Sequence, residues 1–233
     1  MPVFLCIETA SEICSVAIAD QQGVISIKES VRKNSHAEVV TVFIDSLMKE
    51  NHLSVKDLDA VVVSKGPGSY TGLRIGVSTA KGLCYAGDIP LIAINTLSSM
   101  ASGMIAGLHD RNTTNHLFCP MIDARRMEVY DALFDGEGKM VRETKAEIID
   151  ENSFFEYLEK HLVVFFGNGS DKCRGTIAHP NAIFIDHINP SAAFLVKPAL
   201  EAYMAKNYED TAYFEPFYLK DFIAGIPRVK GLE

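Results

Sequence analysis

Residues 4–28 read FLCIETASEICSVAIADQQGVISIK, and residues 119–143 read CPMIDARRMEVYDALFDGEGKMVRE. Each segment begins with an apolar strand pattern that ends in an acid, and each continues through a second strand pattern into a turn that contains glycine. Glu8 therefore corresponds to Asp123 and Gly23 to Gly138, and both pairs are 115 residues apart. Self-similarity over half of a chain indicates an internal duplication. The chain is therefore predicted to form two related α/β lobes with a cleft between them.

A later strand in each half supports the duplication. Residues 61–69 read VVVSKGPGS and residues 162–170 read LVVFFGNGS, so both apolar runs end in Gly-x-Gly-Ser. In the first half, apolar periodicity predicts strands at residues 3–9, 14–19, 24–29, 60–64 and 91–94, and helices at 35–50, 70–86 and 96–108. In the second half it predicts strands at residues 119–123, 128–134, 139–143 and 162–166, and helices at 153–160 and 191–206. Asn34 or Ser35 is the predicted cap of the first helix.

This order predicts an α/β protein with two lobes of the βββαβα type, each with helices on the faces of a mixed sheet. The lobes are expected to comprise residues 1–109 and 110–233. The polar segment at residues 110–116 is the predicted joint between them.

Composition excludes several classes of protein. With 233 residues, 48% of them apolar, the chain can bury the core of one or two domains. Its formal net charge of −8 argues against a free-standing nucleic-acid binder, because phosphate contacts need clustered Lys and Arg. No basic and apolar leader begins the chain, and no apolar run approaches the ~18 residues that cross a bilayer. Five widely spaced cysteines predict buried thiols in a reducing cytoplasm rather than disulfides.

One loop between a strand and a helix is a candidate anion site. Residues 64–72 read SKGPGSYTG, and such a loop can direct backbone N–H groups and a helix N-terminus at a phosphate. The candidate contacts are Gly66, Gly68, Ser69 and Arg74. The segment is neither a Walker A loop nor Gly-x-Gly-x-x-Gly. A tight strand-to-helix turn without a ligand is the other interpretation, and the local pattern favours it.

The helix after this loop carries small residues at every fourth position. They are Gly72, Gly76, Ala80 and Cys84, and they form a ridge with almost no side-chain bulk on one helix face. Small residues cost helix propensity, so such a ridge indicates that another element approaches closely. That element is either part of this chain or an external partner, because helix packing rules do not distinguish the two.

Glu8 and Asp123 are the candidate acids of a cleft. In a duplicated fold they are expected to face each other, where two carboxylates could hold Mg²⁺ or orient a water molecule. Solvated acids at strand ends are the alternative interpretation. The sequence has no His-Glu-x-x-His, Cys-x-x-Cys or Gly-x-Ser-x-Gly, and its histidines are scattered. We therefore predict no metal site and no catalytic nucleophile.

Four segments together resemble one family. They are LCIETA at residues 5–10, GPGSYTGLRIG at residues 66–76, IDARR at residues 122–126 and PFYL at residues 216–219. These segments look like the bacterial TsaB family, also called YeaZ. The resemblance extends over essentially the whole chain and is weaker after residue 139. It implies the duplicated actin-like ATPase fold, a ribonuclease H-like fold, in agreement with the internal repeat.

The resemblance also implies a function. It implies a role in making N6-threonylcarbamoyladenosine, the modified base beside the anticodon in tRNAs that read codons starting with A. In that system the related TsaD transfers threonylcarbamoyl to tRNA, TsaB pairs with TsaD, and the ATPase TsaE joins the complex. The chain is thus expected to be a non-catalytic, cytoplasmic scaffold that dimerises with itself when TsaD is absent. It would contact tRNA only through the complex and would bind no cofactor tightly by itself. The resemblance still allows ATP or ADP to bind at the interface with TsaD.

Three departures from the relatives agree with a non-catalytic role. A His-x-x-x-His metal site of TsaD corresponds to Thr96 and Met100, which cannot hold a hard catalytic metal. A Gly-Gly-His-Thr phosphate turn is replaced around residues 124–126, where arginine side chains would obstruct the approach that glycine allows. Actin-like ATPases begin with Asp-x-Gly, and this chain has Glu-Thr-Ala at residues 8–10. These departures imply a degraded nucleotide cleft.

The family pairs through its first two helices, which implies an external partner for the small ridge. The interface residues expected from the resemblance are Val39, Phe43, Leu47, Gly72, Gly76, Ala80 and Leu83. A Gly76→Arg substitution is then expected to abolish pairing with TsaD at little cost to folding.

Three other functions remain open at this point. One is an active ATPase or sugar-kinase-like phosphotransferase that uses Glu8 and Asp123 with Mg²⁺. Another is a peptidase, because the family was once classed with glycoproteases, although no activated nucleophile supports it. The third is an interaction module that is unconnected with tRNA.

Overall fold

The computed structural model describes residues 1–31, 36–108 and 114–220. The first half contains, in chain order, β1 (Phe4–Glu8), β2 (Cys14–Asp20), β3 (Gly23–Ser30), α1 (His36–Glu50), β4 (Ala60–Gly66), α2 (Tyr70–Gly87), β5 (Leu91–Asn95) and α3 (Thr96–Ala106). The second half contains β6 (His116–Asp123), β7 (Glu128–Phe134), β8 (Met140–Ile148), α4 (Phe155–Leu158), β9 (Leu162–Phe166), β10 (Ala182–Ile185) and α5 (Val196–Met204). The predicted caps Asn34 and Ser35 lie outside the described residues.

The two halves have the same sheet topology. The first sheet has the order β3-β2-β1-β4-β5, and the second, read from its opposite edge, has the order β8-β7-β6-β9-β10. In each sheet the first three strands form an antiparallel meander, and the next two add in parallel. The predicted duplication and the predicted α/β class with mixed sheets are confirmed.

The first sheet is covered on both faces. Alternate residues of a strand point to opposite faces. Leu5 and Ile7 of β1 join a core with α1 and α2, whereas Phe4 and Cys6 join a core with α5. β1 is therefore buried at every position, as its continuous apolar pattern requires.

Two helices lie on the sheet of the other half. α3 comes from the first half, and its Leu97 and Met100 share a core with Phe118 and Phe166 of the second sheet. α5 comes from the second half and belongs to a core of the first sheet. The predicted boundary between residues 109 and 110 falls outside the described residues, as does part of the predicted joint. The exchanged helices connect the segments on either side of that boundary.

The second lobe is reduced relative to the first. The counterpart of α2 is a single 3₁₀ turn, Asp171–Cys173, and the helix predicted at residues 153–160 is only Phe155–Leu158. The helix predicted at residues 191–206 starts as a 3₁₀ turn, Ala192–Leu195, and becomes α-helical at Val196. Pro198 then falls in the first α-helical turn, where its missing N–H costs nothing. β10 was not predicted, because four half-buried residues give no clear periodicity.

All five cysteines are free and buried, as predicted. Burial raises the pKa of the Cys6 thiol to about 12 and that of the Cys14, Cys84 and Cys173 thiols to about 11, and it raises the pKa of Cys119 well above its usual range. Since the thiolate is the nucleophile, these thiols are protected both by enclosure and by protonation.

We expect Ellman's reagent to label the native protein at least about 100-fold more slowly than the urea-unfolded protein, for all five thiols. The measurement is the absorbance time course in native buffer and in urea. One thiol that reacts rapidly in native buffer would contradict the burial of the cysteines.

Candidate functional site

Glu8 lies at the end of β1 and is fully buried. Its Oε1 accepts a hydrogen bond from the Ala10 backbone N–H at 2.7 Å and another from the Ser64 hydroxyl at 2.7 Å. Its Oε2 is buried and has no partner among the described residues. Burial raises the pKa of Glu8 to about 7, and the two hydrogen bonds oppose that rise. A carboxyl group enclosed in this way does not line an open cleft.

Asp123 occupies the equivalent end of β6 but is exposed. Its Oδ1 accepts a hydrogen bond from the Arg125 backbone N–H at 3.1 Å and pairs with the ammonium group of Lys172. The two acids are therefore equivalent in the repeat and different in their surroundings. The interpretation in which both acids line an open cleft and hold Mg²⁺ finds no support, because Glu8 is enclosed in the first lobe and Asp123 is paired with a lysine.

The Gly66 turn, residues 66–69, is filled by the chain itself. A Cβ on Gly66, which has φ +110°, would lie 2.6 Å from the carbonyl oxygen of Phe217. A Cβ on Gly68 would lie 2.3 Å from the carbonyl oxygen of Ala10. The Ser69 N–H donates to that same Ala10 oxygen at 2.7 Å, and the Ser69 hydroxyl caps α2 by accepting from the N–H of Gly72.

These contacts agree with the interpretation as a tight strand-to-helix turn. The glycines allow two backbone segments to touch the turn, so a free cradle for phosphate does not form. Arg74, the fourth predicted phosphate contact, instead lies over the ring of Tyr70, 4.2 Å from its centroid, and donates through Nε to the Tyr218 hydroxyl at 3.1 Å. The expectation that these four residues offer free groups to a ligand is not met in the single chain.

The small ridge of α2 faces the chain's own sheet. A Cβ on Gly72 would lie 2.1 Å from the backbone oxygen of Thr9, and one on Gly76 would lie 2.2 Å from the Thr9 hydroxyl oxygen. Ala80 and Cys84 are buried in the core of the first lobe. The external interpretation of the ridge is therefore wrong, since its small residues let α2 pack on the end of β1. A Gly76→Arg substitution would disturb folding, contrary to the expectation that it spares the fold.

The other predicted interface residues are divided among three environments. Leu47 is fully buried in the same core and cannot reach a partner. Val39 and Phe43 are partly buried and pack against the edge of that core. Leu83 is partly buried and borders the space between α1 and α2.

A groove separates α1 from α2 on the surface. This α1–α2 groove has a volume of about 310 Å³, and its lining includes apolar and small polar side chains. The lining residues are Thr41, Ile44, Asp45, Met48, Leu53, Ser54, Val55, Thr79 and Leu83. On the outer faces of the same two helices, Val42 is 59% exposed and Tyr85 is 88% exposed. Gly82 of α2 is also exposed, and a Cβ there would meet no atom within 4 Å.

The sequence reasoning missed this outer face, although the helical period contained the signal. Positions 78, 82 and 85 lie on the side of α2 opposite the ridge formed by positions 72, 76, 80 and 84. Because the ridge packs inward, the opposite side of α2 is exposed to solvent. The contact between the Gly66 turn and Phe217 was also missed, because no local pattern links residues so far apart in the chain.

Thr96 and Met100, which replace a metal pair of the relatives, are both fully buried, and Met100 lies in the core between α3 and the second sheet. Within the ranges that the structure describes, no group of three or more His, Cys, Asp or Glu residues could hold a metal ion. In those same ranges, no helix is long and apolar enough to span a bilayer.

The second lobe contains a buried ion pair. Asp131 of β7 pairs with Arg142 of β8, and the Arg142 guanidinium also bonds Glu147 at 2.8 Å and lies 4.3 Å from the Phe154 ring centroid. Burial raises the pKa of Asp131, and the adjacent guanidinium opposes that rise. Perturbed acids often mark functional sites, but these charged groups have partners within the lobe. We interpret the cluster as structural.

Comparison with known proteins identifies relatives over most of the chain. The family model described as "TsaD: tRNA N6-adenosine threonylcarbamoyltransferase" matches residues 17–227. The tRNA threonylcarbamoyladenosine biosynthesis protein TsaB of Haemophilus influenzae is 27% identical over 233 residues, which span 93% of each chain. TsaB of Bacillus subtilis is 35% identical over 130 residues, which span 56% of this chain and about half, 54%, of that protein.

Solved structures share the fold. A Pseudomonas aeruginosa structure described as an uncharacterized protein with similarity to peptidase YEAZ has a TM-score of 0.81 and 22% identity, covering 94% of this chain and all of that one. The activator of 2-hydroxyisocaproyl-CoA dehydratase from Clostridium difficile, with bound ADPNP, has a TM-score of 0.51 and 11% identity, covering 88% and 97%. These similarities confirm the predicted duplicated actin-like ATPase fold.

Proposed function

We propose that this chain acts in tRNA threonylcarbamoyladenosine biosynthesis as a non-catalytic scaffold. The premise is that the chain belongs to the TsaD family and, within it, to the TsaB (YeaZ) proteins. Family membership supports the general role in forming the modified base. The finer proposal is that the chain dimerises with TsaD and helps to recruit TsaE. It meets tRNA only through that complex, and tRNA modification is consistent with a cytoplasmic location.

One observation supports the scaffold role. The acid, the phosphate turn and the metal pair that an actin-like enzyme would use are enclosed, filled or replaced in this chain. The first acid, Glu8, is enclosed, and its burial raises the pKa of the carboxyl to about 7. The Gly66 turn is in contact with Ala10 and Phe217. Thr96 and Met100 are fully buried. Among the described residues, an enclosed first acid, a filled turn and the lack of a metal pair suit the chain to binding a catalytic partner rather than to catalysis.

The α1–α2 groove is the surface that we propose for TsaD. Its lining is largely apolar, and the exposed side chains of Val42 and Tyr85 extend the apolar surface on the same helices. Exposed apolar surface of this kind is typical of a protein interface. The family model that matches this chain is described as TsaD, and a tRNA N6-adenosine threonylcarbamoyltransferase is 28% identical to it over 144 residues. A TsaD partner with the same fold would have an equivalent pair of helices to place there. Self-association through the groove is the proposed state when TsaD is absent.

We further propose that the chain alone binds no cofactor tightly. Any ATP or ADP would lie at the interface with TsaD, where groups from both chains could complete a site. The filled Gly66 turn supports the first part of this proposal.

Solution mass tests the scaffold role. Light scattering after size exclusion is measured for this chain alone and for a mixture with TsaD from the same organism. We expect a homodimer alone and a heterodimer in the mixture. A mass that does not respond to TsaD would contradict the proposal.

Depletion of the chain in cells should also remove threonylcarbamoyladenosine from tRNA, as measured by mass spectrometry of nucleosides, whereas an unrelated interaction module would leave the base in place.

A Gly82→Arg substitution tests the location of the interface. The new side chain would project from the exposed face of α2 without meeting any atom, and arginine has a higher helix propensity than glycine. We expect an unchanged or slightly raised melting temperature, together with binding to TsaD that is at least about tenfold weaker, because an unpaired charge would be desolvated in the interface.

Gly175→Arg is the matched control, because Gly175 is an exposed glycine of the second lobe whose Cβ would also meet no atom within 4 Å. Binding of both variants to TsaD is measured by calorimetric titration, and Gly175→Arg should bind TsaD like the wild type. Equal binding by both variants would place the interface elsewhere.

A further inference from the structure

The last described residues of the chain are held along α2 by their backbone. The ammonium group of Lys81 donates to the carbonyl oxygen of Ala212 at 3.2 Å and to that of Phe214 at 2.9 Å. Farther along, the Phe217 N–H donates to the carbonyl oxygen of Lys65 at 2.7 Å. The tail therefore follows α2 to the end of β4.

The contacts continue with an aromatic cluster. The Tyr218 ring lies 4.8 Å from the Tyr70 ring, measured between centroids, and its hydroxyl accepts a hydrogen bond from Arg74. The Arg74 guanidinium lies over Tyr70 and near Tyr218. A cation over an aromatic ring is attracted by the negative face of the ring. Tyr218 is thus anchored by a ring contact and by a hydrogen bond.

The tail reaches both halves of the molecule. Lys65, Tyr70 and Arg74 belong to the first half, whereas Lys220 pairs with Glu128 at the start of β7 in the second half. Residues 214–220 therefore connect the two lobes directly. They also cover the Gly66 turn, since the Phe217 carbonyl oxygen would lie 2.6 Å from a Cβ on Gly66.

The tail is held less firmly than the core. Residues 214–220 contain no strand or helix, Phe217 is 40% exposed, and the preceding Tyr213 is 84% exposed. Segments with few buried apolar contacts and few backbone hydrogen bonds open at a lower free energy than the global unfolding of a protein. The anchoring contacts are thus local, although they join distant parts of the fold.

We propose that residues 214–220 form a strap that opens separately from the rest of the fold, with Tyr218 as its latch. When closed, the strap connects the two lobes and excludes any ligand from the Gly66 turn. When open, it exposes the turn and frees the second lobe from Lys220. The strap is a property of the single chain and does not depend on any partner.

Hydrogen exchange of the Phe217 amide in the full chain tests this proposal, with Tyr218→Ala as the variant. In the wild type this amide should be protected, because it bonds Lys65, yet it should exchange faster than the amides of β1. The variant should exchange it about tenfold faster and leave the amides of β1 unchanged, because the ring and the Arg74 hydrogen bond hold only the strap. Tyr213→Ala, which removes an exposed ring from the same tail, should leave the Phe217 amide unchanged.

Three results would overturn the strap. An unprotected Phe217 amide in the wild type would mean that the contact with Lys65 does not persist. An unchanged rate in Tyr218→Ala would remove the latch. Acceleration that extends equally to Leu5 and Cys6 of β1 would show that the tail belongs to the global fold and does not open separately. Lys220→Ala, measured in parallel, should accelerate the same amide by a smaller factor, because Lys220 is an exposed end of the strap.

Discussion

Replacement of Gly72 by alanine is expected to destabilise the protein by about 3 kcal/mol. The added Cβ would lie 2.1 Å from the backbone oxygen of Thr9. That backbone cannot move away easily, because it follows β1 in the middle of the first sheet and the adjacent Ala10 oxygen is bonded to Ser69. Since no flexible side chain can give way, α2 would have to shift on the sheet.

Gly82→Ala is the matched control on the same helix. Its Cβ would meet no atom within 4 Å, so only the helix propensity changes. That change favours alanine by up to about 1 kcal/mol. Urea unfolding of the two variants should therefore move the midpoint in opposite directions. Equal effects of the two substitutions would mean that α2 does not pack against Thr9 as described.

This pair of substitutions also separates what the ridge does from what it was expected to do. The spacing of Gly72, Gly76 and Ala80 correctly indicated a close neighbour. It could not indicate which neighbour, because a sheet in the same chain and a helix in a partner impose the same demand for small residues. The Thr9 contacts assign the ridge to the fold, so the proposed partner surface is the α1–α2 groove together with the exposed residues of α2 beside it.

Sequence reasoning predicted most of the fold because the duplication repeats a pattern that can be read locally. The strands of each meander alternate or run apolar, and the turn with Gly23 recurs at Gly138. The second lobe was predicted less well. Its α4 and β10 are four residues each, too short for a period to be evident. The crossing of α3 onto the second sheet is a tertiary choice that no local pattern contains.

The candidate site was predicted less well than the fold for the same reason. Glu8 and Asp123 have equivalent positions in the repeat, but the burial of Glu8 depends on Ser64 and on the turn at Ala10. Likewise, Arg74 and Gly66 have the residue types of a phosphate site. Their partners Tyr218 and Phe217 are more than a hundred residues away, and the tail takes the place that a ligand would have.

The enclosed Glu8 is expected to make stability depend on pH. Its pKa is about 7 in the folded protein, against a usual value of 4.5. Between pH 4.5 and 7 the Glu8 carboxyl is therefore mostly protonated in the folded state and mostly ionised in the unfolded state. Because the unfolded state binds fewer protons in that range, the free energy of unfolding falls as the pH rises through it. Above pH 7 both states are ionised and the loss is complete, at roughly 3 kcal/mol for this group.

Glu8→Gln should remove this contribution. Glutamine keeps an oxygen to accept from Ala10 and Ser64, and it cannot ionise. The variant and the wild type should be about equally stable near pH 4.5, and the variant should be more stable by roughly 3 kcal/mol at pH 8. Urea unfolding at pH steps from 4.5 to 8 measures the difference.

Ser64→Ala removes a hydrogen bond that lowers the pKa of Glu8. The pKa of Glu8 should therefore be higher in this variant, and the free energy of unfolding of the variant should continue to fall above pH 7. Parallel curves for Glu8→Gln and the wild type would show that Glu8 ionises in the folded protein without a penalty, and an open cleft at β1 would then have to be reconsidered.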